Sequence, residues 1–478
     1  MMKRRDALKT IGGLAGAAGL ARFLPGCGSD DDGPVGITTY VYLMLENRTY
    51  DHAFGARKLL EGLPGDGLVP GMTQPDLSGN PVSLYVPSGL DQCALDPPHS
   101  WDESHAEWNN GAMDGFLRTH QTLHSSADKE SLQYMTRNEM PVSWALADAY
   151  TSCDRWFASV MGPTFPNRAF WHCGTAFGLK ENSTVISRLS AGVPAPTIYH
   201  LLEDAGVDWA FYYGSYAVAA LLASPGPYQL DIGPNDGTGR VRRFGDAVGG
   251  VGQFFKDAAA GKLPPVTYID PAFDQNDDHP PLPPILAQAL IASIYRALAK
   301  SPQWKNVMFV VAYDEHGGFY DHVAPPVTTD DTLAKYGVDG FQQLGFRVPG
   351  MVIGPYAKQG HVSSVQYDHT SAIKHLQNAF NLGPLTARTD AANDLSDCID
   401  MDRLARGEPA PPIEIPEIDV NSFPYTNSRC IGKPSFHQAP LHEWLDENPG
   451  KWDPAYDIRG TDQMSVIRNF LLEDQRKR

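Results

Sequence analysis

The sequence is short of cysteine, of positive charge and of long apolar runs. It has 6 cysteines in 478 residues, and none stands in a C-x-x-C spacing, which argues against a cysteine-ligated zinc site. Lysine and arginine total 38 against 56 aspartates and glutamates, a net charge of −18. Such a chain lacks the basic surface that holds nucleic acid, and bulk charge does not draw it to an anionic membrane. Beyond the N-terminus no stretch reaches the roughly 18 uncharged apolar residues of a bilayer span, which excludes a polytopic membrane protein. No internal repeat is present. Hydrophobic residues at 42% and charged residues at 20% are ordinary for a globular chain and exclude collagen-like, coiled-coil and wholly disordered classes. Glycine (45) and proline (39) are plentiful, which points to many loops, the segments on which catalytic groups tend to sit. The length suits either two to four small domains or one large α/β unit.

The first residues read as an address. Arg4-Arg5 followed by Leu8-Lys9 and the mild apolar run Ile11 to Leu20 resemble a twin-arginine export signal. Leu24-Pro25-Gly26-Cys27 resembles a lipobox, which makes Cys27 the expected site of a lipid anchor. Residues 1–27 are therefore expected to be an export signal with lipobox, 28–36 a polar tether, and 37–478 one catalytic domain. The expected location is the periplasm or the cell surface, with release from the cell as a variant of the same route. The cysteines of an exported chain can oxidise; their pairing is not legible.

From Thr38 to Phe380 short apolar runs alternate with helical periodicities. The runs 39–45 (TYVYLML), 156–160, 209–213, 266–270, 307–313 (VMFVVAY) and 348–353 predict strands. Residues 141–150, 197–205, 284–300, 370–380 and 461–475 predict helices. Runs apolar on both faces, alternating with helices, predict a mainly parallel sheet covered on both sides, an α/β/α sandwich. Residues 384–450, rich in Asp, Pro and Asn, read as a loop-rich excursion of the same domain.

In such a sheet the site lies at the carboxyl ends of the strands. Three predicted strands end in polar clusters: Glu46-Asn47-Arg48-Thr49-Tyr50-Asp51-His52, Asp270 with Asp277-Asp278-His279, and Asp314-Glu315-His316-Gly317-Gly318. Carboxylates, an amide and imidazoles gathered this way supply ligands for a metal. Gly162-Pro163-Thr164-Phe165-Pro166-Asn167-Arg168 places a hydroxyl at a Gly/Pro turn before a helix, where backbone N–H groups and the helix dipole favour an anionic electrophile such as phosphate. His99, His105, His279, His316 and His369 fall among the predicted loops and strand ends. As protonated imidazoles they would bind phosphate oxygens or protonate a leaving alkoxide, which predicts activity at mildly acid pH.

ENRTYDHAFG, HSWDESHAEWNNGAMDGF, GPTFPNR, YDEHGGFYDHVAPP, FRVPGMVIGPYAK and YDHTSAIKHL, in this order, resemble the bacterial phosphoesterase family, which contains non-haemolytic phospholipases C and acid phosphatases. The resemblance implies an alkaline-phosphatase-like three-layer fold and a phosphoric ester hydrolase. It implies Thr164 as the nucleophile, and Glu46, Asn47, Asp314, Glu315 and Thr164 around a divalent or trivalent metal ion, with calcium, manganese, zinc and iron all open. It implies His99, His279 and His316 as catalytic groups at the phosphate, with Asp278, His105, Arg168 and His369 as substrate-binding groups. The expected substrate is a glycerophospholipid, cleaved to diacylglycerol and a phosphorylated head group through a phospho-threonine. The alternative is a broad-specificity acid phosphatase acting on phosphomonoesters at the same site. Trp101, Trp108, Tyr212, Tyr213 and Phe319 are the aromatic candidates for a quaternary ammonium head group.

Overall fold

The computed structural model describes residues 36–88, 92–245, 252–273, 275–419 and 440–478. The twin-arginine signal, the lipobox with Cys27 and residues 28–35 of the tether lie outside the described residues.

The described residues form ten strands: β1 (Thr39–Leu45), β2 (Thr73–Pro75), β3 (Pro81–Ser83), β4 (Thr151–Cys153), β5 (Trp209–Tyr213), β6 (Val241–Arg243), β7 (Val266–Asp270), β8 (Val307–Tyr313), β9 (Gly350–Ile353) and β10 (His361–Ser363). β2 and β3 pair with each other, and the other eight form one sheet in the order β10-β4-β9-β8-β1-β7-β5-β6. All pairings in that sheet are parallel except those of β9, which runs antiparallel to β4 and β8. Helices cover both sides, giving three α/β/α layers. Every residue of β1 and β8 is buried. Parallel strands covered on both faces need apolar side chains on both, which is why TYVYLML and VMFVVAY are continuous runs and do not alternate. Among the described residues no helix is long and apolar enough to cross a membrane.

The expected strand at 156–160 is absent. Trp156 and Phe157 make only isolated bridges to Tyr367 and Arg347, and the strand of this region is β4, a few residues earlier. Residues 156–160 are apolar because they are buried as the chain turns towards the GPT segment, not because they join a ladder. β4, β6 and β10 are three-residue strands and carry too little periodicity to be read. Helix Ile285–Lys300 packs against helix Gln463–Arg476. Residues 384–419 run over the surface through short helical turns at Ala387–Ala391, Leu395–Cys398 and Met401–Arg406. The tail of this segment is tied to the long helix by Tyr295 Oη donating to Ile413 O (3.0 Å) and by the Arg296–Glu417 ion pair (3.1 Å).

Candidate active site

β8, β1 and β7 are neighbours, and their carboxyl ends deliver Asp314-Glu315-His316, Glu46-Asn47-Arg48 and Asp270 to one place. β1 and β8 are in register with Leu45 opposite Tyr313, so the two polar loops leave the sheet side by side. Backbone bonds lock them together. Asn47 N donates to Asp314 Oδ1 (3.2 Å), Arg48 N to Glu315 O (3.1 Å) and Glu46 N to Asp277 O (2.8 Å). Asn47 has φ +62°, a left-handed conformation that asparagine tolerates better than most residues. Gly317 and Gly318 also have positive φ, and a Cβ on Gly317 would lie 2.5 Å from Asn47 Cβ, one on Gly318 2.4 Å from Pro98 O. Glycine is required there because the backbones of three loops touch.

Thr164 opens helix Thr164–Cys173, and its hydroxyl donates to Glu315 Oε1 at 2.9 Å. Asn167 shapes the preceding turn from inside: its Oδ1 accepts from Val160 N (3.0 Å), and its Nδ2 donates to the carbonyls of Val160, Gly162 and Pro163 (3.3, 3.0 and 3.2 Å). Asn182 Oδ1 caps the helix by accepting from Phe165 N at 2.7 Å.

Arg168 points beneath this group. Its guanidinium is wholly buried and pairs with Asp270 (3.0 Å), Asp314 (3.2 Å) and Glu46 (3.3 Å). Three buried carboxylates, Glu46, Asp270 and Asp314, thus surround one guanidinium, and a fourth, Glu315, is buried next to Asp314 in sequence. Burial pushes Asp314 and Asp270 up to about 6, against the pull of Arg168. Burial, with the neighbouring charge of Asp314, pushes Glu315 well above the carboxylate range. Asn47 Oδ1 and Glu315 Oε2 are buried oxygens with no hydrogen-bond partner among the described residues. Surplus negative charge and unsatisfied hard oxygens in a dry interior are costly, and both are relieved by a cation. The residues present therefore fit a bound metal ion.

The histidines divide into two kinds. His99 Nδ1 donates to Pro97 O (2.7 Å) and His279 Nδ1 to Pro280 O (2.6 Å), which leaves Nε2 of each neutral ring as the basic nitrogen. His99 Nε2 lies 3.3 Å from Asn47 Nδ2 and 4.0 Å from Glu315 Oε1. Asp96, His99 and His279 bring ligand atoms within 4.8 Å of one another, a second group able to hold an ion. His316 and His369 are engaged elsewhere. His316 Nε2 meets Glu107 Oε2 at 2.7 Å; burial lowers the imidazole to about 3 and raises the Glu107 carboxyl, opposing charge on both. His369 Nε2 donates to Asp314 O (2.6 Å), and burial lowers this ring to about 4. His105 is half-buried, donates from Nδ1 to Trp101 O (2.7 Å) and stacks on Trp101; burial lowers it too. Burial therefore works against a protonated imidazole at His105, His316 and His369.

Thr164, Glu46, Asn47, Asp314, Glu315, His99 and the Asp96/His279 pair share one buried centre. Asp278 stands beside it, with φ +79°, held by Arg48 Nε (3.1 Å) and Tyr313 Oη (2.8 Å). Of the aromatic candidates, Trp101 lies against Gly162 in the turn before Thr164. Tyr212 and Tyr213 are buried strand residues of β5, and Phe319 is buried under the Arg48 guanidinium at 4.8 Å. Sequence reasoning did not single out Asp96 or Glu107, whose only signal is membership of the HSWDESHAEW neighbourhood. A surface cavity of about 560 Å³ bordered by Tyr216, Trp452 and Tyr456 is lined by none of the site residues.

A threonine hydroxyl facing carboxylates at the ends of parallel strands, in three α/β/α layers, is the arrangement of a phosphoric ester hydrolase. The chain belongs to the phosphoesterase family, whose model matches residues 37–383. Among curated proteins it is 29% identical over 429 residues to phospholipase C A of Mycobacterium tuberculosis, covering 80% of this chain and 81% of that one. It is 31% identical over 398 residues to non-specific phospholipase C4 of Arabidopsis thaliana, covering 74% and 70%. Among solved structures, a protein in the alkaline phosphatase superfamily from Vibrio parahaemolyticus matches at 13% identity and a TM-score of 0.31, over 53% of this chain and 62% of that one.

Proposed function

We propose that the chain is an exported, metal-dependent phospholipase C that cleaves glycerophospholipids to diacylglycerol and a phosphorylated head group. The observation that carries the reading is the Thr164 hydroxyl donating to Glu315 beside the Glu46/Asn47/Asp314 oxygens. Similarity to proteins named phospholipase C supports the substrate class. Glu46, Asn47, Asp314, Glu315 and Thr164 Oγ1 are the residues that would hold the ion, which when bound polarises a phosphoryl oxygen and favours the threonine alkoxide. Thr164 passes its proton towards Glu315 Oε1 and attacks phosphorus. His99 or His279, acting through Nε2, gives a proton to the departing diacylglycerol oxygen; the same nitrogen, then basic, takes one from the water that hydrolyses the phospho-threonine. Arg168, engaged with three carboxylates, positions the ligands from below, and Asp278 with Arg48 holds the loop that carries His279. The twin-arginine signal and Cys27 support export and anchoring in the periplasm or at the cell surface.

The test presents phosphatidylcholine and p-nitrophenyl phosphate to the protein and to Thr164→Ala, with and without a chelator. Diacylglycerol release lost in the variant and on chelation is the expected result. Cleavage of the monoester alone would move the chain to the acid phosphatases.

A further inference from the structure

We propose that Cys153 and Cys398 form a disulfide that ties strand β4 to the surface segment over residues 384–419. Their sulfur atoms lie 3.8 Å apart, both wholly buried, although 245 positions separate them in sequence. The approach is fixed by the backbone around it. Lys358 N donates to Cys398 O (2.9 Å), and Thr151 Oγ1 reaches the carbonyls of both Lys358 (3.0 Å) and Cys398 (3.1 Å). Asp397 accepts from Ser363 Oγ (2.6 Å), Lys358 Nζ (3.0 Å) and His361 Nε2 (3.0 Å), pinning the turn Leu395–Cys398 on β10 and its approach. A sulfur–sulfur bond is about 2.05 Å, so closure asks roughly 1.8 Å of the sulfurs, within reach of side-chain rotation with little backbone movement. The remaining described cysteines do not compete. Cys93 is already disulfide-bonded, and Cys173 is a free buried thiol on helix Thr164–Cys173.

The oxidant is a low-molecular-weight or protein disulfide, R–S–S–R. The Cys398 thiolate attacks one of its sulfurs and expels the first thiol; the Cys153 thiolate then attacks the mixed disulfide and expels the second. Two electrons leave the cysteine pair and reduce the R–S–S–R bond, and the two thiol protons end on two R–SH. The hydrogen bond between the two thiols, and then burial, raise the Cys153 thiol well above its ordinary range. Thiolate is therefore scarce while the turn is docked, and the exchange runs as the turn opens or before it packs. The bond would enclose nearly the whole stretch that carries the nucleophile and the Asp314-Glu315 loop, a closure that restricts the unfolded chain strongly.

The experiment refolds the full chain in a mixture of oxidised and reduced glutathione, alkylates it and maps peptides by mass spectrometry without reduction. The expected result is one species joining the Cys153 and Cys398 peptides, two hydrogens lighter than their sum, with Cys173 alkylated. Alkylated Cys153 and Cys398 in a sample whose Cys93 is disulfide-linked would overturn the proposal, as would a link from either to Cys173. Dithiothreitol should lower the Tm of the native protein by roughly 5 °C more than that of Cys398→Ser. An equal fall in both also overturns it; Cys153→Ala replaces that variant if it does not fold.

Discussion

Thr164 has one hydroxyl hydrogen and gives it to a carboxylate that has no access to water. Thr164→Ser keeps the oxygen and is expected to retain activity within about tenfold, whereas Thr164→Ala is expected to lose at least ~10³ in kcat, read as diacylglycerol release. Arg168 is the opposite kind of residue. It touches no candidate reacting atom, yet three carboxylates lean on it. Arg168→Met removes the guanidinium those charges share and should destabilise the fold by about 3–5 kcal/mol, read by urea denaturation. Unchanged stability would show that the carboxylates are neutral or otherwise compensated. Both residues were legible in GPTFPNR, but only Thr164's place was. An arginine next to a nucleophile suggests a phosphate ligand; that it faces down into the sheet depends on which side of the helix meets β1 and β7, and a ten-residue segment does not record that.

At the scale of elements, the turn that carries Thr164 is closed by one amide. Asn167→Asp keeps the acceptor for Val160 N and removes the donor for three carbonyls. It should lower kcat by about 10–100-fold with a smaller change in KM, on a cost of about 1–3 kcal/mol for the stranded carbonyls. A second clasp joins the loops after β1 and β8 away from the reacting groups. His322 meets Asp51 (2.6 Å) and Asp66 (3.3 Å), and Arg347 pairs with Asp51 (3.2 Å) and Asp321 (2.9 Å). Burial opposes the His322 charge, but the hydrogen bond and charge of Asp51 outweigh it and raise the imidazole above its ordinary value. Its contribution is therefore complete below about pH 6.5 and is lost as pH rises through the raised value. The native Tm should fall more steeply above pH 6.5 than that of His322→Gln; parallel curves would sink the assignment. The long strands were legible because each is a continuous apolar run, and the helices because their period is long enough to count. The three-residue strands were not, and Trp156–Val160 imitated a strand because burial and pairing leave the same apolar composition.

The molecule as a whole carries a net charge of −18. On vesicles it should be slower on anionic phosphatidylglycerol than on neutral phosphatidylcholine at low salt. Raising salt from about 0.01 to 0.15 M shortens the screening length from about 30 to 8 Å, so the anionic-to-neutral rate ratio should rise several-fold. A ratio indifferent to salt would show that a local surface, not the bulk charge, governs approach. Gly317 and Gly318 let the loops after β1 and β8 and the segment before His99 meet backbone to backbone, with no side chain between them to yield. On the proposed reading, the spacing between Asn47 and Glu315 is thereby held fixed and would select an ion by radius, favouring oxygen distances of about 2.0–2.2 Å or of about 2.3–2.6 Å but not both equally; a single methyl group at Gly317 would reset it.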